Sequence, residues 1–176
     1  MKTRVLYPGT FDPVHLGHLD LMARAVILFD EVLVGVYDHS QPTKSLLFSI
    51  EERISMIENA LNGSDRIKVV SYSCLTVEFA RQVKAQAIVR GLRVFSDFEF
   101  EFRLALANKR LAPEMETISL MTQEEHTFLS STTVREIASL GGDISSMVPP
   151  NVAEALYARF SDNGADSFTR PMPLRD

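Results

Sequence analysis

Three scarcities narrow this chain before any motif is read: a single cysteine, no apolar run of bilayer length, and no dense block of Lys or Arg. The lone Cys74 cannot close an intramolecular disulfide, so a packed core must hold the fold, as suits a reducing compartment. A membrane helix needs about 20 consecutive apolar residues, and none is present. The amino terminus also lacks the pattern of a secretory leader, so the chain is expected in the cytoplasm, away from membranes. A formal charge of −5 without a basic block argues against nucleic acid or an anionic membrane as the main partner. A small anionic ligand, by contrast, needs only a few local cations. With 176 residues and 45% apolar content, the chain can bury roughly two thirds of its unfolded surface in one domain.

What is there reads as alternating strands and helices. Arg4-Val5-Leu6-Tyr7 is a short apolar run stopped by Pro8-Gly9, and apolar residues then recur at helical spacing from Leu16 to Phe29. Val32 to Tyr37 is a continuous β-branched stretch, the pattern of a strand buried on both faces of a parallel sheet. A loop follows to about Leu47. Ser49 and Glu52 have capping-box spacing for a helix that Leu61-Asn62-Gly63 closes. Ile67 to Ser71 reads as a third strand and Leu75 to Lys84 as a helix. Ala87-Ile88-Val89 reads as a short fourth strand interrupted at Arg90-Gly91. Between Phe95 and Leu111 the pattern is ambiguous, because Phe98 to Phe102 alternate like a strand while Phe98, Phe102 and Leu106 share a helical stripe. Length favours a helix, with that stripe as core or subunit contact. Glu116 to Met121 is the fifth strand. Thr133 and Glu136 have capping-box spacing before the next helix, Gly141-Gly142 can end it, and Pro149-Pro150 precedes a last helix to about Phe160. One domain over 1–160 and a flexible tail over 161–176 are expected.

This alternation predicts an α/β fold: a single Rossmann-like, open, parallel five-stranded sheet with helices on both faces. Ligands of such sheets bind beyond the carboxyl ends of the strands. The segment after the first strand runs from Pro8 to His18. Gly9 and Gly17 remove side chains where backbone amides can approach a phosphate, and the amino end of the following helix adds a favourable dipole. His15 and His18, three apart, share a helical face and can donate hydrogen bonds to phosphoryl oxygens, with the Thr10 hydroxyl nearby. An isolated pair of this kind would more often frame a turn or cap a helix. Metal ligation is not expected, since the other histidines, His39 and His126, and Cys74 make no ligand spacing with the pair.

Two further segments point to the same ligand. Ser130-Ser131-Thr132-Thr133 leads into a helix, so hydroxyls and free amides converge at its amino end. Arg90-Gly91-Leu92-Arg93 places two guanidinium groups at a strand end, where bidentate phosphate contacts are natural, and Lys44 offers another positive charge. Any one of these cations would ordinarily be a solvated surface residue; their convergence on one sheet edge argues otherwise.

The stretch Tyr7 to His18, with Lys44, Arg90-Gly91-Leu92-Arg93, Asp97-Phe98-Glu99 and Ser130-Ser131-Thr132 with Arg135, resembles the bacterial phosphopantetheine adenylyltransferases over about residues 3–160. His15-Leu16-Gly17-His18 matches the H-x-G-H signature of the wider nucleotidyltransferase superfamily. Leu129 to Arg135 matches its I-S-S-T-x-x-R signature, with Leu in place of Ile. The resemblance implies a nucleotidyltransferase domain that moves the adenylyl group of ATP to 4'-phosphopantetheine, giving dephospho-coenzyme A and pyrophosphate. It further implies that His18 is catalytic and contacts the α-phosphate, and that Thr10 orients the attacking phosphate, which Lys44 and Arg90 hold. The backbone near Thr76 would meet the pantetheine arm. Phe11, Gly91, Leu92, Arg93 and Glu101 would line the nucleotide side, while His126, Thr127, Phe128, Leu129, Ser130, Ser131 and Thr132 wrap the adenine and the β- and γ-phosphates. Magnesium would arrive with the nucleotide, and hexamers are the common assembly. Many relatives carry Tyr where Phe100 stands and an aromatic residue where His126 stands.

The chemistry accounts for the absence of an obvious general base. A phosphate nucleophile is already ionised near neutral pH, so placement and charge stabilisation suffice. The two signatures alone would also serve a sibling transferase acting on nicotinate mononucleotide or glycerol phosphate, or a non-catalytic nucleotide sensor.

Overall fold

The computed structural model describes residues 2–39 and 46–162. Strands β1 (Arg4–Gly9), β2 (Glu31–Tyr37), β3 (Ile67–Tyr72), β4 (Ala87–Leu92) and β5 (Glu116–Met121) form one sheet in the order β3-β2-β1-β4-β5. Every neighbouring pair is parallel. Helices α1 (Leu16–Leu28), α2 (Ile50–Ala60), α3 (Thr76–Gln82), α4 (Phe95–Leu111), α5 (Ser131–Ser139) and α6 (Pro150–Asp162) connect and cover it.

The period-two alternation of the strands divides the core in two. Val5 and Tyr7 of β1, with Val32, Val34 and Val36 of β2, face Leu21, Met22 and Ala25 of α1, Met56 and Ile57 of α2, and the apolar residues of α5 and α6. Leu6, Leu33 and Ile88 point the other way, onto Val77, Phe79 and Ala80 of α3 and onto Ala112 and Met115 beyond α4. Helices therefore lie on both faces, as the unbroken apolar strands predict. The winding reverses at β1: β2 lies on one side of it and β4 on the other. That reversal opens a crevice at the carboxyl ends of β1 and β4.

Several element boundaries differ from the sequence-based expectation. β1 does not stop at Pro8-Gly9 but pairs with β2 through Gly9 and Val36. On its other side β1 pairs with β4 only at Val5 and Leu6, so no ladder bond there requires the amide that proline lacks. β4 likewise continues through Arg90 and Gly91 to Leu92, because β5 supplies partners at Ser119, Leu120 and Met121. α5 is capped by Ser130, whose Oγ accepts the Thr133 amide at 3.0 Å, so Thr133 lies inside the first turn and is not the cap. Phe98, Phe102 and Leu106 are not core: they are 49%, 52% and 56% exposed, on a face where the rings of Phe95, Phe98 and Phe102 stack in series. The last helix runs to Asp162, and the rest of the expected tail lies outside the described residues, as does Lys44.

Candidate active site

The crevice is built from the turn after β1. Phe11 holds a left-handed backbone with φ of 50°, and its buried ring folds back over Gly9. A Cβ on Gly9 would lie 2.8 Å from that ring, so only glycine permits the close approach. Phe11 then meets Tyr7 edge-on at 5.5 Å and His18 at 4.9 Å between ring centroids.

His15 caps α1, and His18 stands one turn along it. The rings stack, centroids 3.6 Å apart and 20° from parallel, and the His15 backbone N–H donates to His18 Nδ1 at 3.2 Å. With Nδ1 accepting, a neutral His18 carries its proton on Nε2, where it can be donated to a ligand. Burial, reinforced by electrostatic coupling to His15 and by the positive charges of Arg93 and Arg90, holds the His18 pKa well below its ordinary value. Burial first, then Arg93 and His126, lowers His15 to about 3. Both imidazoles are therefore neutral near pH 7. His15 Nδ1 is buried without a hydrogen-bond partner among the described residues.

Asp12 anchors the turn. One buried carboxylate accepts the amides of Leu47 and Phe48 at 2.9 and 3.0 Å and the Arg135 guanidinium at 2.8 Å. It thereby joins the turn to the entrance of α2 and to α5. Ser131 Oγ donates to the Pro13 carbonyl at 2.8 Å, and Arg93, forked onto Asp97, donates to the Leu129 carbonyl at 2.6 Å. These bonds bring the start of α5 against the histidine turn.

A cavity of about 390 Å³ results. Of the residues expected from sequence, Thr10, Phe11, His18, Arg90, Gly91, Arg93, Glu101, His126, Ser130, Ser131 and Thr132 line it. Leu92, Thr127, Phe128 and Leu129 sit on the surrounding segments without lining it: Leu129 is fully buried in the core and Phe128 is exposed. A second cavity of about 280 Å³ lies beside the first, lined by Thr76, Tyr37, Tyr72 and Asn108. Pro8, Gly9, Thr10 and Arg90 belong to the walls of both.

Arg90 is held firmly at that shared wall. Its Nε and Nη2 donate to the Glu101 carboxylate at 2.8 and 2.6 Å, and its Nη1 donates to the Pro8 carbonyl at 2.8 Å. Burial works against its charge, but the Glu101 carboxylate outweighs it and leaves the pKa raised. Tyr72, whose phenol is pushed up by burial, pairs with Thr76 Oγ1 at 3.0 Å in the wall of the second cavity.

Sequence reasoning did not single out Tyr37, Tyr72, Asn108 or the fork of Arg90 on Glu101. Tyr37 and Tyr72 each end a strand at the ligand-facing edge, and that position alone was a usable signal. Asp97 was also findable as a site residue, since it follows Arg93 by one helical turn.

Comparison with known proteins identifies the family. Residues 6–137 match the family described as cytidylyltransferase-like. The phosphopantetheine adenylyltransferase of Desulfitobacterium hafniense is 53% identical over 155 residues, spanning 88% of this chain and 94% of that protein. That of Methylacidiphilum infernorum is 48% identical over 172 residues, spanning 96% of this chain and 98% of that protein. A solved structure from Vibrio parahaemolyticus, provisionally named a nicotinate-nucleotide adenylyltransferase, superposes with a TM-score of 0.67 at 20% identity, covering 89% of this chain and 99% of that one.

Proposed function

Because the chain belongs to the phosphopantetheine adenylyltransferases, it is a nucleotidyltransferase of coenzyme A synthesis, and we propose that its larger cavity takes ATP and its smaller one 4'-phosphopantetheine. The observation that carries this assignment is the common wall: Thr10 and Arg90 face both cavities, so the two substrates meet there. An acceptor phosphate oxygen attacks the α-phosphorus of ATP, a P–O bond forms, the α–β bridging P–O bond breaks, and pyrophosphate leaves.

No proton need be removed, because the nucleophile is already ionised. The obstacle is charge, since two unit charges about 4 Å apart repel by ~4 kcal/mol at an effective dielectric of 20. In this reading His18 Nε2–H donates to the α-phosphate and Thr10 orients the acceptor phosphate, held by Arg90 and Lys44. Glu101 aims Arg90 through its fork. The amino end of α5, with Ser130, Ser131 and Thr132, receives the β- and γ-phosphates, while Gly91, Leu92, Arg93 and His126 to Leu129 border the adenosine.

Among the described residues no group of three or more His, Cys, Asp or Glu side chains is placed to hold a metal. We assign magnesium to the nucleotide, as MgATP, where it would neutralise part of the triphosphate charge. The exposed aromatic face of α4 supports self-association, for which the family resemblance suggests a hexamer. No helix among the described residues is long and apolar enough to cross a membrane. We place the enzyme in the cytoplasm, with residues 1–160 as its working domain.

The test is to incubate the chain with MgATP and 4'-phosphopantetheine, nicotinate mononucleotide or glycerol phosphate, and to follow pyrophosphate release. Rapid release with 4'-phosphopantetheine alone is expected. Release with a rival acceptor and none with 4'-phosphopantetheine would refute the assignment.

A further inference from the structure

Arg53 stands in the first turn of α2, yet it is only 1% exposed. Among the described residues its side-chain hydrogen bonds all go to main-chain carbonyls: Nη1 to Thr10 at 2.7 Å and to Tyr37 at 3.0 Å, and Nε to Ser49 at 3.3 Å. The two carbonyls on Nη1 have a particular place in the sheet. The β1–β2 ladder ends at the pair Gly9 and Val36, so Thr10 and Tyr37 come one step past the last rung. Their carbonyls lie where strand pairing no longer supplies a donor, and one guanidinium nitrogen takes both.

Thr10 and Tyr37 also line the smaller cavity, whereas Arg53 does not. The guanidinium therefore reaches the backbone of this wall from outside the cavity and links the two strand ends. We propose that Arg53 is a positioning residue for the acceptor: by bridging the Thr10 and Tyr37 carbonyls it extends the β1–β2 ladder by one rung and sets where the Thr10 hydroxyl meets the acceptor phosphate. The proposal rests on the reading of the smaller cavity as the acceptor site.

Arg53→Met preserves length and apolar stem but donates nothing, whereas Arg53→Lys keeps the charge and can reach one carbonyl. Steady-state kinetics on the full chain, with each substrate varied in turn, separates the possibilities. Because a misplaced reacting group costs on the order of tenfold to a hundredfold, Arg53→Met is expected to lower kcat/KM for 4'-phosphopantetheine by at least about tenfold. KM for ATP should change by less than about twofold, and Arg53→Lys should recover part of the loss. In a Thr10→Ala background, Arg53→Lys should cause less further loss in kcat than it does alone, since the hydroxyl it places is gone. A rise in KM for ATP beyond about twofold and as large as that for 4'-phosphopantetheine would overturn the proposal, as would wild-type acceptor kinetics in either variant. Should Arg53→Met fail to fold, Arg53→Lys decides: a selective acceptor defect supports the role, and its absence refutes it. A wild-type chain that does not turn over 4'-phosphopantetheine defeats the cavity assignment and the proposal with it. A wild-type chain that does, with variants unimpaired toward the acceptor, defeats the proposal alone.

Discussion

The stacked histidines make a quantitative prediction about acid stability. Folding holds His15 neutral, with a pKa of about 3, while in the unfolded chain it binds a proton near pH 6.5. Above about pH 6.5 both states leave it neutral and the shift costs nothing. Below that value the unfolded state takes up a proton the folded state refuses, so stability falls as pH falls, by about 1.4 kcal/mol per pH unit, until the folded pKa is reached. Between about pH 6.5 and 5.0 the loss from His15 is therefore about 2 kcal/mol. His15→Asn removes the titrating ring while keeping the main-chain N–H that His18 Nδ1 accepts. Urea unfolding of both proteins at a series of pH values from about 7.5 to 5.0 isolates the effect, because carboxylate contributions common to both cancel in the difference. The variant is expected to lose about 2 kcal/mol less than the wild type across the interval. Coincident slopes would show that His15 is not a desolvated neutral ring.

Three other outcomes follow from the geometry. His18→Ala should lower kcat by on the order of a hundredfold, about 3 kcal/mol, with KM for ATP little changed; undiminished turnover removes His18 from the reaction. Arg90→Ala should raise KM for 4'-phosphopantetheine more than KM for ATP, and a selective loss of ATP binding would reverse the assignment of the two cavities. Gly91→Ala puts a Cβ 2.5 Å from Leu21 Cδ1, so thermal unfolding should register an overpacking cost of about 1–3 kcal/mol, and an unchanged Tm would mean that Leu21 moves aside freely.

The chain's local patterns were enough to establish the alternation of strands and helices, the capping box at Ser49 and Glu52, and the turn from Gly9 to His18 as part of the cavity wall. Apolar periodicity and cap spacing act between near neighbours, so they can be read without knowing where the chain goes next. They misjudged the ends of β1 and β4, because whether a strand continues through Pro8 or Gly91 depends on what lies beside it. They left the stripe on α4 open between core and subunit contact, since periodicity marks an apolar face without saying whether the chain itself covers it; its exposure removes the first of these.

Tertiary structure alone decided the joints of the site. Asp12 gathers partners 35, 36 and 123 residues away, and Arg53 reaches a carbonyl 43 residues back. The sheet order sets β4 beside β1, so Arg90 reaches the Pro8 carbonyl, 82 residues away along the chain, at the wall of both cavities. Residue types declared which groups have the chemistry to meet a phosphate; only the folding of distant strand ends onto one edge determined which of them share a cavity.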